Sequence, residues 1–300
     1  MGKGEIEVWR RSLMVGAYIC SGLTLFVLFV YLTFPSQRVR QLLLTSLREQ
    51  GLSDISIGSV EPLLPPGLAL RQLSLTVEAN GAQREWARVP ELRIYPHMFV
   101  PFWKPPRVGF EGELYGGHMF GEVTWVRVKD EPGIELRADV RDVHLDALPL
   151  TATLATPPLQ GKLMGTMTLW IPKPRWQESE GRLVFQAGAG GLSGIEVMGV
   201  RFPSLAYDHL GGELALQTRS LVVRELSVRG RDWQLGLRGQ VGLNDNFPQS
   251  TLDLTLGIRS SEALEQQLGS IGAFLKQRRE RRELLSFRIG GTLRSPSFIP

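Results

Sequence analysis

The sequence predicts a mainly β protein in which one amino-terminal transmembrane helix is followed by a long, curved, mainly antiparallel sheet with a few short helices. An uncharged segment, residues 13–34, is long enough at roughly 33 Å to cross a hydrocarbon core. From about residue 54, apolar residues recur at every second position, which is the period of half-buried strands. The 33 glycines and 19 prolines are spread along the chain, which favours a protein of many turns.

The composition bounds the class of protein. Apolar residues make up 43% and charged residues 21% of the chain, which excludes a wholly disordered chain and a multi-span membrane protein. The single cysteine, Cys20, excludes an intramolecular disulfide and a cysteine-based zinc cluster. A net charge of +4 is weak evidence for a polyanionic partner, and we predict no nucleic-acid partner.

Segment 13–34 is predicted to be a membrane anchor. A cleaved signal peptide fits poorly, because Tyr31 and Phe34 are bulky where a peptidase needs small residues. A buried helix of a soluble protein would usually carry a polar stripe. The candidate anchor residues are Leu13, Leu23, Phe26, Phe29 and Phe34.

The orientation of this anchor is not decided by charge. Three basic residues precede the segment and three follow it, which is a tie under the positive-inside rule. The short tail favours a cytoplasmic stub at residues 1–12, with the chain beyond residue 35 outside the cytoplasm. Because Cys20 lies within the span, the remainder carries no thiol, which is compatible with an oxidising periplasm.

A juxtamembrane helix is predicted within residues 35–52. Ser36 is its candidate cap and Gly51 its stop, and its apolar face carries leucines while arginines lie elsewhere on the wheel. Two interpretations stay open. The helix lies along lipid headgroups, or its leucines close the end of the following β core.

Beyond residue 53 the alternation predicts about a dozen or more antiparallel strands. Gly-x-Leu/Val triplets recur without a fixed period, which indicates repeated hairpins, and their glycines predict bends or bulges. The clearest strand alternates with Glu135, Arg137 and Asp139, and the candidate groove-lining residues are its apolar members Ile134, Leu136, Ala138 and Val140.

A late helix is predicted from Ser260 or Ser261, with a leucine-rich stripe that runs to Leu275 and a basic end at residues 276–283. A solvated helix end, where cations oppose the dipole, is one interpretation of this run. The other is a dock for lipid phosphates or an acidic partner, with candidate contacts at Arg278, Arg279, Arg281 and Arg282.

No catalytic, metal or cofactor site is predicted, and we expect the chain not to be an enzyme. In the glycine-rich stretch 188–194, Ser193 occupies the position of the third glycine of the Gly-x-Gly-x-x-Gly motif, and a strand is predicted to follow. Both features disfavour a nucleotide-binding loop. The four histidines lie far apart without metal-ligand spacing. The aromatic, proline-rich loop 97–106 either plugs the end of the sheet or touches a membrane or partner.

Several segments together resemble the type II secretion system protein N family, which is related to AsmA-type proteins. The resemblance covers nearly the whole chain and consists of strand alternation and glycines, with no catalytic motif. The segments that carry it are the anchor, the short helix, and residues 55–60, 67–75, 87–94, 114–121 and 287–296.

This resemblance implies a single-pass protein of the bacterial inner membrane, with residues 53–300 forming a periplasmic β-rich domain. It implies a non-enzymatic component of the type II secretion system that assists protein export across the outer membrane and contacts other secretion components, through its groove or by strand addition at a sheet edge. The alternative is an AsmA-like lipid-binding or lipid-transfer protein, with acyl chains along a β-groove.

Overall fold

The computed structural model describes most of the chain. The described residues are 14, 16–18, 21–22, 24–29, 31–49, 55–63, 67–79, 82–97, 105–128, 131–148, 159–172, 178–192, 196–197, 200–201, 204–244, 249–267, 276 and 285–299. Two of the candidate anchor residues, Leu13 and Leu23, fall outside them, as do all four arginines predicted at the basic helix end.

The described residues between Met14 and Leu32 are helical. Their large apolar side chains are exposed, by 64% for Phe26 and Phe29 and by 73% for Leu32. In the described part of the chain, no helix is both long enough and apolar enough to cross a membrane.

The first complete helix, α1 (Ser36–Glu49), packs against the start of the sheet. Its residues Val39, Leu43, Leu44 and Leu47 contact a buried cluster that includes Val60. The guanidinium Nε of Arg40 donates a hydrogen bond to the Ile57 carbonyl at 2.6 Å. Of the two interpretations of this helix, the packing supports the one in which its leucines close the end of the β core.

One antiparallel sheet dominates the fold, as predicted. It contains 15 strands in the order β1-β3-β4-β5-β6-β7-β9-β10-β15-β16-β17-β18-β19-β20, with β2 paired to β3. Spatial order follows chain order, so the chain meanders through hairpins, as antiparallel pairing permits. The strands are β1 (Ile55–Ser56), β2 (Ser59–Leu63), β3 (Gly67–Ala79), β4 (Ala82–Pro96), β5 (Arg107–Leu114), β6 (Gly117–Val128), β7 (Glu131–His144), β8 (Leu159–Gln160), β9 (Lys162–Pro172), β10 (Glu180–Ala187), β11 (Gly190–Leu192), β12 (Glu196–Val197), β13 (Val200–Arg201), β14 (Leu205–Tyr207), β15 (His209–Gln217), β16 (Ser220–Arg229), β17 (Trp233–Gly242), β18 (Thr251–Ser260), β19 (Leu285–Gly291) and β20 (Pro296–Ile299).

Tight turns and bulges shape this sheet. The turn between β5 and β6 has two residues, Tyr115 and Gly116, both with positive φ, which is the type I′ geometry that matches strand twist. The register of β7 shifts between Val140 and Val143, where Asp142 has φ 56°. Such bulges bend a strand and increase its twist.

A small three-stranded sheet of β8, β11 and β14, hereafter the small sheet, lies outside the main one, and β12 pairs with β13. The chain also contains a short 3-10 helix, Leu145–Ala147. The late helix α2 is described only over Glu262–Gln267. Most of its predicted stripe, and the aromatic residues of loop 97–106, lie outside the described residues.

Candidate functional site: the apolar face of the sheet

The four candidate groove residues of β7 share one side of the strand. Leu136 pairs with Val123 on β6 and with Leu169 on β9, so apolar side chains face one another across three strands. Arg137 pairs with Glu122 and Thr168 on the opposite side. A one-residue slip would exchange these two sets, so the alternation fixes which side is apolar.

This apolar side continues through almost every strand of the main sheet and is called the apolar face below. One cross-strand row shows its extent, because every member is apolar or glycine. The row runs Val60, Leu70, Leu92, Gly112, Met119, Val140, Gly165, Phe185, Gly212, Leu226, Leu237, Leu256 and Phe287.

Several glycines on this face lie beneath large side chains from the neighbouring strand. A methyl group added at Gly121 would meet Phe110 Cζ at 2.6 Å, and one added at Gly212 would meet Phe185 Cζ at 2.7 Å. At Gly181 it would meet Leu169 Cδ1 at 2.9 Å. The absent side chain therefore makes room for the neighbour's side chain, as in aromatic rescue of strand glycines.

The Gly-x-Leu/Val triplets that begin at residues 112, 161, 181, 212, 239 and 291 differ in the backbone conformation of their glycines. Three of their glycines have positive φ, at 140° for Gly161, 139° for Gly239 and 84° for Gly291, which fits the predicted bends. The glycines at residues 112, 181 and 212 have no positive φ, and a Cβ atom at any of the six would lie within 3.0 Å of a neighbouring atom. The sequence prediction of bends missed this second role.

The apolar face is covered near both ends of the sheet. At β1–β4, helix α1 packs over it. At β15–β18, five face residues are at most 8% exposed, namely Leu210, Val223, Val228, Val241 and Leu254. Part of that cover is the small sheet, whose Leu159, Leu192 and Leu205 pack against the buried cluster of Leu210 and Val228.

Two polar contacts hold the small sheet in place. The hydroxyl of Tyr207, a residue 1% exposed, donates to the Gln160 carbonyl. The indole Nε1 of Trp233 donates to the Ala206 carbonyl at 2.9 Å. Burial raises the pKa of Tyr207, which keeps its hydroxyl protonated as a donor.

Between these regions the described residues of the apolar face are mostly partly exposed, although Ala138 among them is only 7% exposed. The central slot is defined by six residues on β5, β6, β7, β9 and β10 that belong to none of the three buried clusters. Five of them are half-buried and Trp125 is 40% exposed. The six residues are Phe110, Val123, Trp125, Leu136, Leu169 and Leu183.

A depression of about 520 Å³ adjoins the slot at Trp125. Pro105, Val126, Pro132 and Gly133 form most of its wall, and Arg127 contributes a cation. The described residues of this region therefore combine an apolar surface with one neighbouring cation, the guanidinium of Arg127.

The opposite face of the sheet carries rows of exposed ion pairs. Glu213 on β15 contacts Arg182 on β10 at 3.1 Å and Arg224 on β16 at 2.7 Å. The hydrogen bond from Arg182 lowers the pKa of Glu213 below its ordinary value, although partial desolvation opposes this. The hydrogen bond from Arg93 likewise lowers the pKa of Glu91. This face is adapted to water, so the apolar face is the one left for a ligand or partner.

Titratable groups do not gather into a reactive centre in the described part of the chain. No group of three or more His, Cys, Asp or Glu residues there could hold a metal ion. Among the described residues, His144 and Asp146 form an exposed His–carboxylate pair, with Nδ1 of His144 4.0 Å from Oδ1 of Asp146.

Comparison of the chain with protein-family models, with curated proteins and with solved structures finds no match.

Proposed function

We propose that this chain is a non-enzymatic component of the type II secretion system, anchored in the inner membrane, whose periplasmic sheet contacts other secretion components. The observation that supports this proposal most directly is the partly exposed apolar face of a sheet whose other face is charged and solvated. The resemblance adds support. Its segments 67–75 and 87–94 lie within β3 and β4, and its segment 114–117 forms the β5–β6 turn.

The anchor at 13–34 is part of this proposal. The exposed apolar side chains of Phe26, Phe29 and Leu32 support it, because such side chains are stable in contact with lipid. A reporter that is active only outside the cytoplasm, fused after Pro300, should be active. An inactive fusion to a stably produced chain would reverse the orientation.

The connection between anchor and sheet is short and packed. Phe34, at the end of the proposed span, contacts the same buried cluster as α1. A fragment that begins at Pro35 should therefore fold as a β protein, whereas one that begins at Ser53 should be less stable because Val60 and Leu70 lose their cover. Circular dichroism and thermal unfolding of the two fragments test this. Equal stability would contradict a packed connection.

The secretion role is tested in cells. Cells that lack this protein should release less of a type II secretion substrate into the medium. Production of the full-length protein in those cells should restore the release. A photocrosslinking residue at Leu136, with Glu135 as the matched control on the other face, should join the chain to a secretion component identified by mass spectrometry. Normal secretion without the chain would overturn the proposal.

A second candidate function is lipid binding or transfer along the sheet. The central slot favours it, because the slot is apolar, half-exposed and bordered by the cation of Arg127. In the crosslinking experiment, adducts of lipid at Leu136 in place of a secretion component would support this candidate.

A further inference from the structure

We propose that a group of cations on β15 to β18 binds a short acidic segment of a partner protein in extended form. The group lies on the face of the sheet that carries the ion pairs, called the polar face below. This inference rests on the proposed secretion role, because it names the chemistry of one contact with another secretion component.

Most arginines of the polar face are neutralised by carboxylates, and two are the exception. Arg229 and Arg259 form no ion pair with any residue that the structure describes, Asp208 and Asp232 included. Their guanidinium groups are therefore available to a carboxylate from outside the chain. The paired arginines are Arg71, Arg93, Arg107, Arg137, Arg182, Arg224, Arg238 and Arg288.

The two arginines belong to one cross-strand row. His209, Arg229, Gln234 and Arg259 are direct partners on four neighbouring strands, on the side opposite the buried Val228. Adjacent strands lie about 4.8 Å apart, so the two arginines stand about 10 Å apart with Gln234 between them. Each guanidinium presents a rigid fork of donors that matches a carboxylate in two-point contact. The row can therefore hold two carboxylates of one bound segment.

The neighbouring row on the same face leaves space beside these cations. A Cβ atom added at Gly236 would meet nothing within 4 Å, and one added at Gly257 would meet only the Gly236 carbonyl oxygen, at 3.8 Å. The row crosses five strands, about 19 Å, which is the length of about six extended residues. It is called the trough below, and its members are Gly211, Ser227, Gly236, Gly257 and Ser286.

The position of the cations favours a protein segment over lipid headgroups. Helix α1 packs at the β2 and β3 end of the sheet, next to the proposed membrane span. In the order of the sheet, β17 lies nine strands from β3, which is about 43 Å at 4.8 Å per strand. A chain anchored through residues 13–34 thus carries these cations away from the membrane, where a periplasmic partner reaches them.

Peptide binding to the full chain tests the inference. The probe is a fluorescent hexapeptide of alternating aspartate and serine, titrated against the chain in a neutral detergent and followed by anisotropy. Arg229→Gln combined with Arg259→Gln should weaken binding tenfold or more. Arg182→Gln combined with Arg224→Gln removes the same charge from paired arginines of the same face and should change binding less than twofold. Equal losses in the two double variants would overturn the site, because the peptide would then respond only to net charge.

A second pair of variants tests the trough. Gly236→Leu places a side chain in it and should weaken binding fivefold or more, without lowering the unfolding temperature. Thr168→Leu, at an exposed position of the same face on β9, should leave binding unchanged. Unchanged binding in Gly236→Leu would contradict a segment that lies in the trough.

A vesicle arm distinguishes the lipid source. Phosphatidylglycerol vesicles should not compete with the peptide for the chain. Competition that is lost in the variant with both Arg229→Gln and Arg259→Gln would assign the cations to headgroups and overturn the protein partner.

In cells, a photocrosslinking residue at Gln234 should join the chain to a secretion component, through a peptide that contains at least two carboxylates within six residues. The variant with Arg229→Gln and Arg259→Gln should lose this adduct and secrete less. Normal secretion by that variant, where loss of the whole chain reduces secretion, would overturn this inference and leave the proposed function standing. Normal secretion without the chain would overturn the proposed function instead, whatever the peptide titration shows.

Discussion

Replacement of Gly121 by alanine should destabilise the sheet by about 2–3 kcal/mol, in the range of overpacked sites. The added methyl group would meet Phe110 Cζ at 2.6 Å and Ala138 Cα at 2.9 Å, and it would lie closer still to the Arg137 carbonyl oxygen. The ring of Phe110 can rotate away, but the backbone of β7 cannot move without breaking its pairing to β6. The backbone contact therefore sets the size of the effect.

Two other glycines calibrate this prediction. Gly212→Ala should cost about 1 kcal/mol, because the nearest atom is the far end of the Phe185 ring and the Glu225 carbonyl lies at 3.1 Å. Gly236→Ala meets nothing within 4 Å and should be neutral or stabilising by about 0.5 kcal/mol. Urea unfolding of the purified full chain, followed by circular dichroism, gives the three values. Equal shifts for Gly121 and Gly236 would refute the register of β5, β6 and β7.

Three further perturbations test other parts of the structure. Leu136→Asp should lower the free energy of unfolding by about 2–3 kcal/mol, because it places a charge on the apolar face. Arg137→Gln, on the exposed face, should shift the denaturation midpoint much less. Similar small shifts for both variants would mean that water reaches the apolar face at Leu136. Tyr207→Phe should cost about 1 kcal/mol and speed hydrogen exchange in the small sheet, because the Gln160 carbonyl loses the hydroxyl that donates to it. Unchanged exchange would contradict that contact. The folded-state pKa of Glu213 is lowered from 4.5, so the stabilising effect of its carboxylate is complete above about pH 5 and is lost as the pH falls through that folded-state pKa. Unfolding temperatures measured against pH should show this loss of stability. In Arg182→Gln the unfolding temperature should depend less on pH.

The alternation of the sequence was sufficient to predict the sheet and the sides of β7. Side chains on a strand alternate with a period of two, so apolar residues at 134, 136, 138 and 140 had to share a face whichever strands lay beside them. The antiparallel pairing was also implied by the sequence, because the strands follow one another too closely to leave room for crossover helices. The pattern could not predict which segments pack over each part of the apolar face, because that packing depends on contacts between distant segments such as α1 and β2.

The roles of individual glycines and the bulges were beyond sequence reasoning for a different reason. A bend and a close approach both require the absence of a Cβ atom, so Gly161 and Gly181 look alike in the sequence. The left-handed backbone of Gln72 and the β7 bulge at Asp142, with φ of 53° and 56°, occur at residues that are not glycine. Their conformation is imposed by the neighbouring strands, which leaves no local signal.

The stability of the central strands explains why their apolar face can remain open. A sheet usually needs a second layer over its apolar side. Here β5, β6 and β7 gain cross-strand contacts within the sheet itself, through Phe110 over Gly121 on one face and ion pairs such as Arg137 with Glu122 on the other. The covered ends of the sheet hold these strands in register. A ligand in the slot would then add to stability without being required for folding, and its binding would appear as a ligand-dependent rise in unfolding temperature.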